Sequence, residues 1–183
     1  MAERKRLHTR TVVCDTFQRD DGLFDVEARI EDRKHYEFSM LERGPYAPGE
    51  PYHSIGVNLV VDGRMKIVAV GTDMAAHPFD ECKQAAPPAQ KLVGATLGRG
   101  WRKAVDEAVG GAAGCTHMRE MLYAMASSAI QAIPTYARLG ARATPPDPAG
   151  MPAKPPPFID GCHSWRSDGR PVVTWFPMYA KKS

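Results

Sequence analysis

Near the middle of the chain a cysteine and a histidine stand two residues apart, in the run Gly114-Cys115-Thr116-His117. A thiolate and an imidazole are both ligands for zinc or iron, and both serve nucleophilic or acid–base catalysis. The run lies at the mouth of the longest helical pattern in the sequence. Met121, Leu122, Met125, Ala129, Ile130, Ile133 and Tyr136 follow at helical spacing and predict one buried stripe several turns long. Thr116 then reads as the N-cap, and the positive end of the helix would lower a cysteine pKa and favour bound anions.

Two more soft or borderline donors fall at the ends of other elements, His53 at the start of a strand and Cys82 on a short helix. His53, Cys82, Cys115 and His117 are therefore the predicted metal set, suited to zinc or iron, provided the fold gathers them. Residues two apart on a helix point to different faces, so Cys115 and His117 can share one metal only if Cys115 precedes the first turn. Glu120 follows His117 by three and shares its helix face, where it could orient the imidazole or act as general base. His53, His117 and Glu120 are the predicted catalytic groups. His8, Arg10, Trp101 and Met121 are predicted to line the substrate. Each residue also has a plainer account. A helix cysteine is a small hydrophobe, and Met118, Met121 and Met125 read as core. His53 reads as a hydrogen-bonded half-buried residue, Glu120 as an exposed helix carboxylate, and His8 with Arg10 as a surface charge row.

The elements that must position these groups come strands first. Residues 6–19 alternate loosely, with His8, Arg10, Val12 and Cys14 on one side and Leu7, Thr9, Thr11 and Val13 on the other. Phe24, Val26, Ala28 and Ile30 alternate cleanly with charged residues, which predicts a half-buried antiparallel strand. Residues 32–51 turn to charge, Gly and Pro and predict a long excursion, a lid in the functional reading. His53, Ile55, Val57, Leu59 and Val61 share one parity before Asp62-Gly63, a hairpin in which His53 points inward and needs a partner. Helices are predicted at Phe79 to Ala86, stopped by Pro87-Pro88, and at Trp101 to Val109, ended by Gly110-Gly111. Strands followed by helices predict an α+β fold, an antiparallel sheet covered on one face by helices. The whole chain, 1–183, is predicted as one domain, with residues 144–157 as a Pro-rich strap and 158–178 as a C-terminal β-hairpin around Asp168-Gly169.

Composition removes several function classes. A formal net charge of +3 over 183 residues, with the basic excess at the two ends, is not the footprint of a nucleic-acid binder. No apolar run approaches the roughly 20 residues of a spanning helix, and the opening residues lack a secretory core. A cytoplasmic protein with reduced thiols is expected, without membrane or nucleic-acid partners, acting on a small molecule and open to homo-oligomerisation. No nucleotide cofactor is expected, because Gly94-x-x-x-Gly98-x-Gly100 lacks the lysine and the preceding strand of a phosphate loop.

Arg6-x-His8-x-Arg10, Arg19-Asp20-Asp21-Gly22-Leu23-Phe24-Asp25, Gly49-Glu50-Pro51-Tyr52-His53, Leu92-Val93-Gly94 through Gly100-Trp101, and Gly114-Cys115-Thr116-His117 together resemble an uncharacterised bacterial domain-of-unknown-function family. The resemblance covers nearly the whole chain and implies a role in the breakdown of aromatic compounds. A more distant likeness is to NifU-type iron-sulfur scaffold domains, which implies a two-layer arrangement with Cys82 at the middle scaffold cysteine and Cys115 or His117 at the late ligand pair. No Cys-Gly-Asp stands near the hairpin, where that pattern has its first ligand. The functional expectation is a lyase, or failing that a hydrolase, working through a His/Cys site with metal-assisted acid–base chemistry. The alternatives are a metal or iron-sulfur carrier and a ligand-binding module.

Overall fold

The computed structural model describes residues 2–136, 153–156 and 158–181. Six strands lead the chain: β1 (His8–Gln18), β2 (Phe24–Lys34), β3 (Phe38–Met40), β4 (Gly44–Tyr46), β5 (Pro51–Val61) and β6 (Ile67–Ala76). Four of them form one antiparallel sheet in the order β1-β2-β5-β6, while β3 and β4 pair with each other in a small hairpin. Two 3-10 turns, Asp80–Ala85 and Pro87–Leu92, lead to α1 (Trp101–Val109) and α2 (Thr116–Tyr136). The fold is α+β, with the helices packed against the sheet.

The alternation in β2 fixes which face is covered. Phe24, Val26, Ala28 and Ile30 are buried among Ile55, Val57 and Leu59 of β5 and the methionines of α2. The inward row does not stop there. Asp32 occupies the next inward position and is 0% exposed, so β2 runs on into what reads from sequence as the start of an excursion. In β1 the even-numbered side, His8 to Thr16, faces the helices, because Cys14 stands opposite Ala28 and Val12 opposite Ile30.

The sequence predicts one domain over 1–183, but the chain divides into two units, residues 1–136 and 137–183. The second gathers a core of its own, in which Ile159, Val172 and Phe176 pack with Phe158 and Trp165. The predicted hairpin over 158–178 is corrected: residues Arg170–Trp175 form a helix, α3. Pro171 suits a helix's first turn and not a strand ladder, and Gly169 has a φ of −82°, outside the positive-φ region a two-residue hairpin turn needs. The predicted strap over 144–157 lies outside the described residues except at 153–156. No helix among the described residues is long and apolar enough to cross a membrane.

Candidate functional site

Three strands deliver one polar row to the covered face. Arg10 on β1 is the direct cross-strand partner of Asp32 on β2, and Asp32 is in turn the partner of His53 on β5. Directly opposed residues of antiparallel strands share a face. The row therefore stands at the end of the sheet where α2 begins.

Asp32 is its centre. Arg10 grips the carboxylate with both arms, Nε donating to Oδ1 at 2.8 Å and Nη2 to Oδ2 at 2.9 Å. His8 Nε2 lies 2.9 Å from Oδ1, His53 Nδ1 lies 3.1 Å from Oδ2, and His117 Nε2 lies 3.4 Å from the same Oδ2. The rings of His53 and His117 are tilted against each other with centroids 4.0 Å apart. Burial works to raise the Asp32 pKa, but the hydrogen bonds and charge of Arg10, helped by the two imidazoles, outweigh it and hold the carboxyl below its ordinary range. Burial, then the neighbouring His117, push His53 from 6.5 down to about 4. Burial and the charge of Arg10 lower His117 as well, against the pull of Asp32 and Glu120. At neutral pH the centre is thus a carboxylate facing two uncharged imidazoles.

The start of α2 places His117 there. The Arg119 N–H donates to the Cys115 carbonyl at 3.0 Å, which makes Cys115 the capping residue and Thr116 the first helical one, a shift of one position from the predicted cap. A Cβ at Gly114 would overlap the Val109 carbonyl, so only glycine lets the chain turn this closely into α2. Cys115 Sγ then lies 3.7 Å from His117 Nδ1.

A cleft of about 750 Å³ opens onto these groups, lined by His53, Cys82, Cys115 and His117 together with Ile55 and Phe79. All four members of the predicted metal set share this cleft. Among the described residues, however, the cluster whose donor atoms all lie within 4.8 Å of one another is Asp32, His53 and His117. The four-residue set is corrected accordingly: a buried carboxylate stands where two thiols are predicted, and Cys82, in its 3-10 turn, remains on the wall. Glu120 accepts from Arg10 Nη1 at 2.6 Å, so it holds the arginine and not an imidazole. Arg10, engaged on both sides, positions Asp32 instead of meeting a substrate, while His8 reaches the row from its half-exposed place on β1. Met121 and Trp101 are corrected as substrate contacts, since both are core, and the Trp101 indole donates to the Leu122 carbonyl at 2.6 Å.

Asp32 is the residue sequence reasoning missed, hidden in the charged run Glu31-Asp32-Arg33-Lys34. One more step of the β2 alternation would have found it, since Ile30 is followed on the inward parity by a carboxylate.

An Asp/His/His cluster can do two kinds of chemistry. Donor separations of 3.1 and 3.4 Å suit one metal ion, because bonds of about 2.0–2.2 Å at right-angled to tetrahedral geometry set ligand atoms roughly 3.0–3.5 Å apart. Without a metal, Asp32 Oδ2 can accept the His53 Nδ1–H at 3.1 Å, which leaves that ring's lone pair on Nε2, while His117 Nε2 stands 3.4 Å away as an ion-pair neighbour.

A family model described as protein of unknown function (DUF2889) matches residues 8–131, a span that begins at His8 and carries every residue of the cluster. No curated protein and no solved structure matches the chain. With more than half of the sequence matched, the chain belongs to this protein-of-unknown-function family, DUF2889.

Proposed function

We propose that the protein is a small-molecule enzyme, a lyase in its first reading, that carries out acid–base chemistry at the Asp32, His53 and His117 centre with the help of zinc or ferrous iron. The observation that carries this is Asp32, a carboxylate 0% exposed and faced by two imidazoles, His53 and His117, that themselves line the cleft. Buried charge is costly and persists where it is paired or binds a cation. The residues fit a divalent ion in charge as well as spacing. Arg10, Asp32 and Glu120 sum to a single negative charge, so the ion would be held but remain removable by a chelator. Bound there, the metal would supply Lewis acidity toward a substrate oxygen.

The chain's own groups would do the rest. Asp32 and His117 would hold the ion, and His53, uncharged near neutral pH and with Nδ1 turned to Asp32, is placed to take a proton at Nε2 from a substrate held in the cleft and to return it to a leaving group. Ile55, Pro78 and Phe79 offer one apolar wall and the small residues Ala112, Ala113 and Gly114 lie along the same cleft, which suits a flat apolar body with one polar function turned toward the imidazoles. An aromatic metabolite handled in the cytoplasm is the substrate class this favours.

A second reading has its own observation. Cys115 Sγ, His117 Nδ1, His117 Nε2 and Asp32 Oδ2 form a line with gaps of 3.7 and 3.4 Å. This is the order of nucleophile, base and orienting carboxylate in a thiol hydrolase. The two readings need opposite tautomers of His117: a metal takes the Nε2 lone pair, whereas the relay needs Nε2 to donate to Asp32 and Nδ1 to receive the thiol proton.

Metal analysis of untagged protein, purified with and without oxygen and then titrated with zinc and ferrous iron, decides between them. Stoichiometric metal that disappears in Asp32→Asn and His117→Ala supports the metal centre. Protein that takes up neither ion, with turnover abolished by alkylation of Cys115, replaces it with the thiol reading.

A further inference from the structure

The sheet has two unlike edges. At β6 the edge is partly closed: the Ile67 N–H donates to the Ala95 carbonyl at 2.9 Å, the Gly94 N–H donates to the Ile67 carbonyl at 2.9 Å, and Gln90 donates to the Val70 carbonyl at 2.8 Å. Among the described residues of the same unit, the edge at β1 is open. It pairs with β2 over all 11 residues without a bulge, and no strand among the described residues lies on its other side. Its central run, Thr11-Val12-Val13-Cys14-Asp15-Thr16-Phe17, has one charge and no proline, glycine or lysine, so it lacks the usual devices that keep an edge from pairing. Val13 is 49% and Phe17 50% exposed on the open face of the sheet. On the helix-covered face a groove of about 600 Å³ runs beside the strand, lined by Val12, Cys14, Ala124, Ser128 and Ala132.

We infer that β1 is the interface of a two-fold dimer, in which β1 pairs antiparallel with β1 of a second copy and joins two four-stranded sheets into one of eight. An open edge accepts only an extended strand, and this strand is complementary to itself. A two-fold axis perpendicular to the sheet keeps faces together, so opposed residues must have the same parity. Pairing His8–Gln18 over its full length puts the axis at Val13, the strand's midpoint. Val13 then meets its own copy, Thr9 meets Phe17 and Thr11 meets Asp15 on the open face. Val12 meets Cys14 and Arg10 meets Thr16 on the other. No like charges are opposed, and the exposed Val12 and Val13 of both copies are brought together at the axis, with Phe17 over Thr9 of the second copy. This pairing does not depend on what the Asp32 centre does.

The oligomeric state of the full chain, measured by sedimentation or native mass spectrometry over a concentration series, tests the inference, with folding of each variant checked by its melting temperature. The wild type is expected to dimerise. Val13→Lys should weaken the dimer by about tenfold or more, because it sets two ammonium groups against each other on the axis. Thr11→Lys, facing Asp15 of the second copy twice, should tighten it by about fivefold, and Thr11→Glu should weaken it by a similar factor. Val68→Lys, exposed on β6, should leave it unchanged. A wild type that stays monomeric, a dimer sensitive to Val68→Lys but not Val13→Lys, or Thr11 variants that fail to move it in opposite directions would each overturn the pairing.

Discussion

Arg10 closes on both oxygens of Asp32 from the directly opposite position on the neighbouring strand, at 2.8 and 2.9 Å. Half of this pair cannot be removed cheaply. Arg10→Ala leaves a buried carboxylate with imidazoles as its remaining partners, and breaking a buried pair in this way costs about 3–5 kcal/mol. Denaturant unfolding should report that loss, and Arg10→Lys should recover only part of it, since an ammonium cannot hold both oxygens. A loss below about 1 kcal/mol, the range of exposed ion pairs, would show that Asp32 does not need its arginine.

Gly114 makes a second prediction. A Cβ there overlaps the Val109 carbonyl, so Gly114→Ala must move the backbone that carries Cys115 and His117. The expected result is a melting temperature several degrees lower, equivalent to about 1–3 kcal/mol, together with loss of bound metal. Gly98→Ala, where a Cβ meets nothing within 4 Å, is the matched control.

The titration of His53 predicts a pH dependence with a definite sign. Its pKa falls from 6.5 to about 4 on folding, so the unfolded chain takes the proton first as pH drops. Stability should be full above about pH 6.5 and decline as pH falls from there toward about 4, with His117 adding in the same direction. Unfolding of metal-free protein across that window should show the slope, and His53→Gln should flatten it. An unchanged slope would mean that other groups carry the acid sensitivity.

The two cysteines of the cleft should behave differently. Cys82→Ala is expected to leave metal content and turnover unchanged, because Cys82 is outside the donor cluster. Cys115→Ala removes only a neighbour of His117 Nδ1, so in the metal reading it should keep the stoichiometric ion with an affinity lowered by about tenfold. In the thiol reading it should lose turnover by about a thousandfold or more. Turnover set against metal content in the same preparations separates the two.

What could be read from sequence follows from how far each signal is local. The alternation from Phe24 to Ile30, the inward parity of His53 and the helical stripe after Met118 depend on spacing alone, and the fold keeps the first two whole and the stripe at Met121, Leu122, Met125, Ala129 and Ile133, while Ile130 and Tyr136, predicted in it, are exposed. Asp32 was obscured because a charged run looks solvated until the strands on either side supply Arg10 and His53, which are 22 and 21 residues away. Cys82 reached the right cleft but not the donor cluster, a distinction of a few ångströms that spacing does not encode. In the tail, Asp168-Gly169 carried the letters of a hairpin turn, while Pro171 two residues later decided for a helix.

The row from Arg10 through Asp32 to His53 also bears on how the sheet assembles. Side chains alternate with period two, so a slip of one residue would carry Asp32 to the open face and send Glu31 or Arg33 into the apolar layer without a partner. A slip of two keeps the face but sets Asp32 against Val12 or His8 in place of Arg10. A misaligned pairing of β1 and β2 takes Asp32 away from its arginine, whereas the branched aliphatic residues of the same strands, Val26, Ile30, Ile55, Val57 and Leu59, can exchange apolar neighbours at lower cost. The polar groups that build the centre therefore act as proofreaders of strand alignment, and a chain with all three replaced by apolar residues would be expected to collapse readily but into a mixture of sheets.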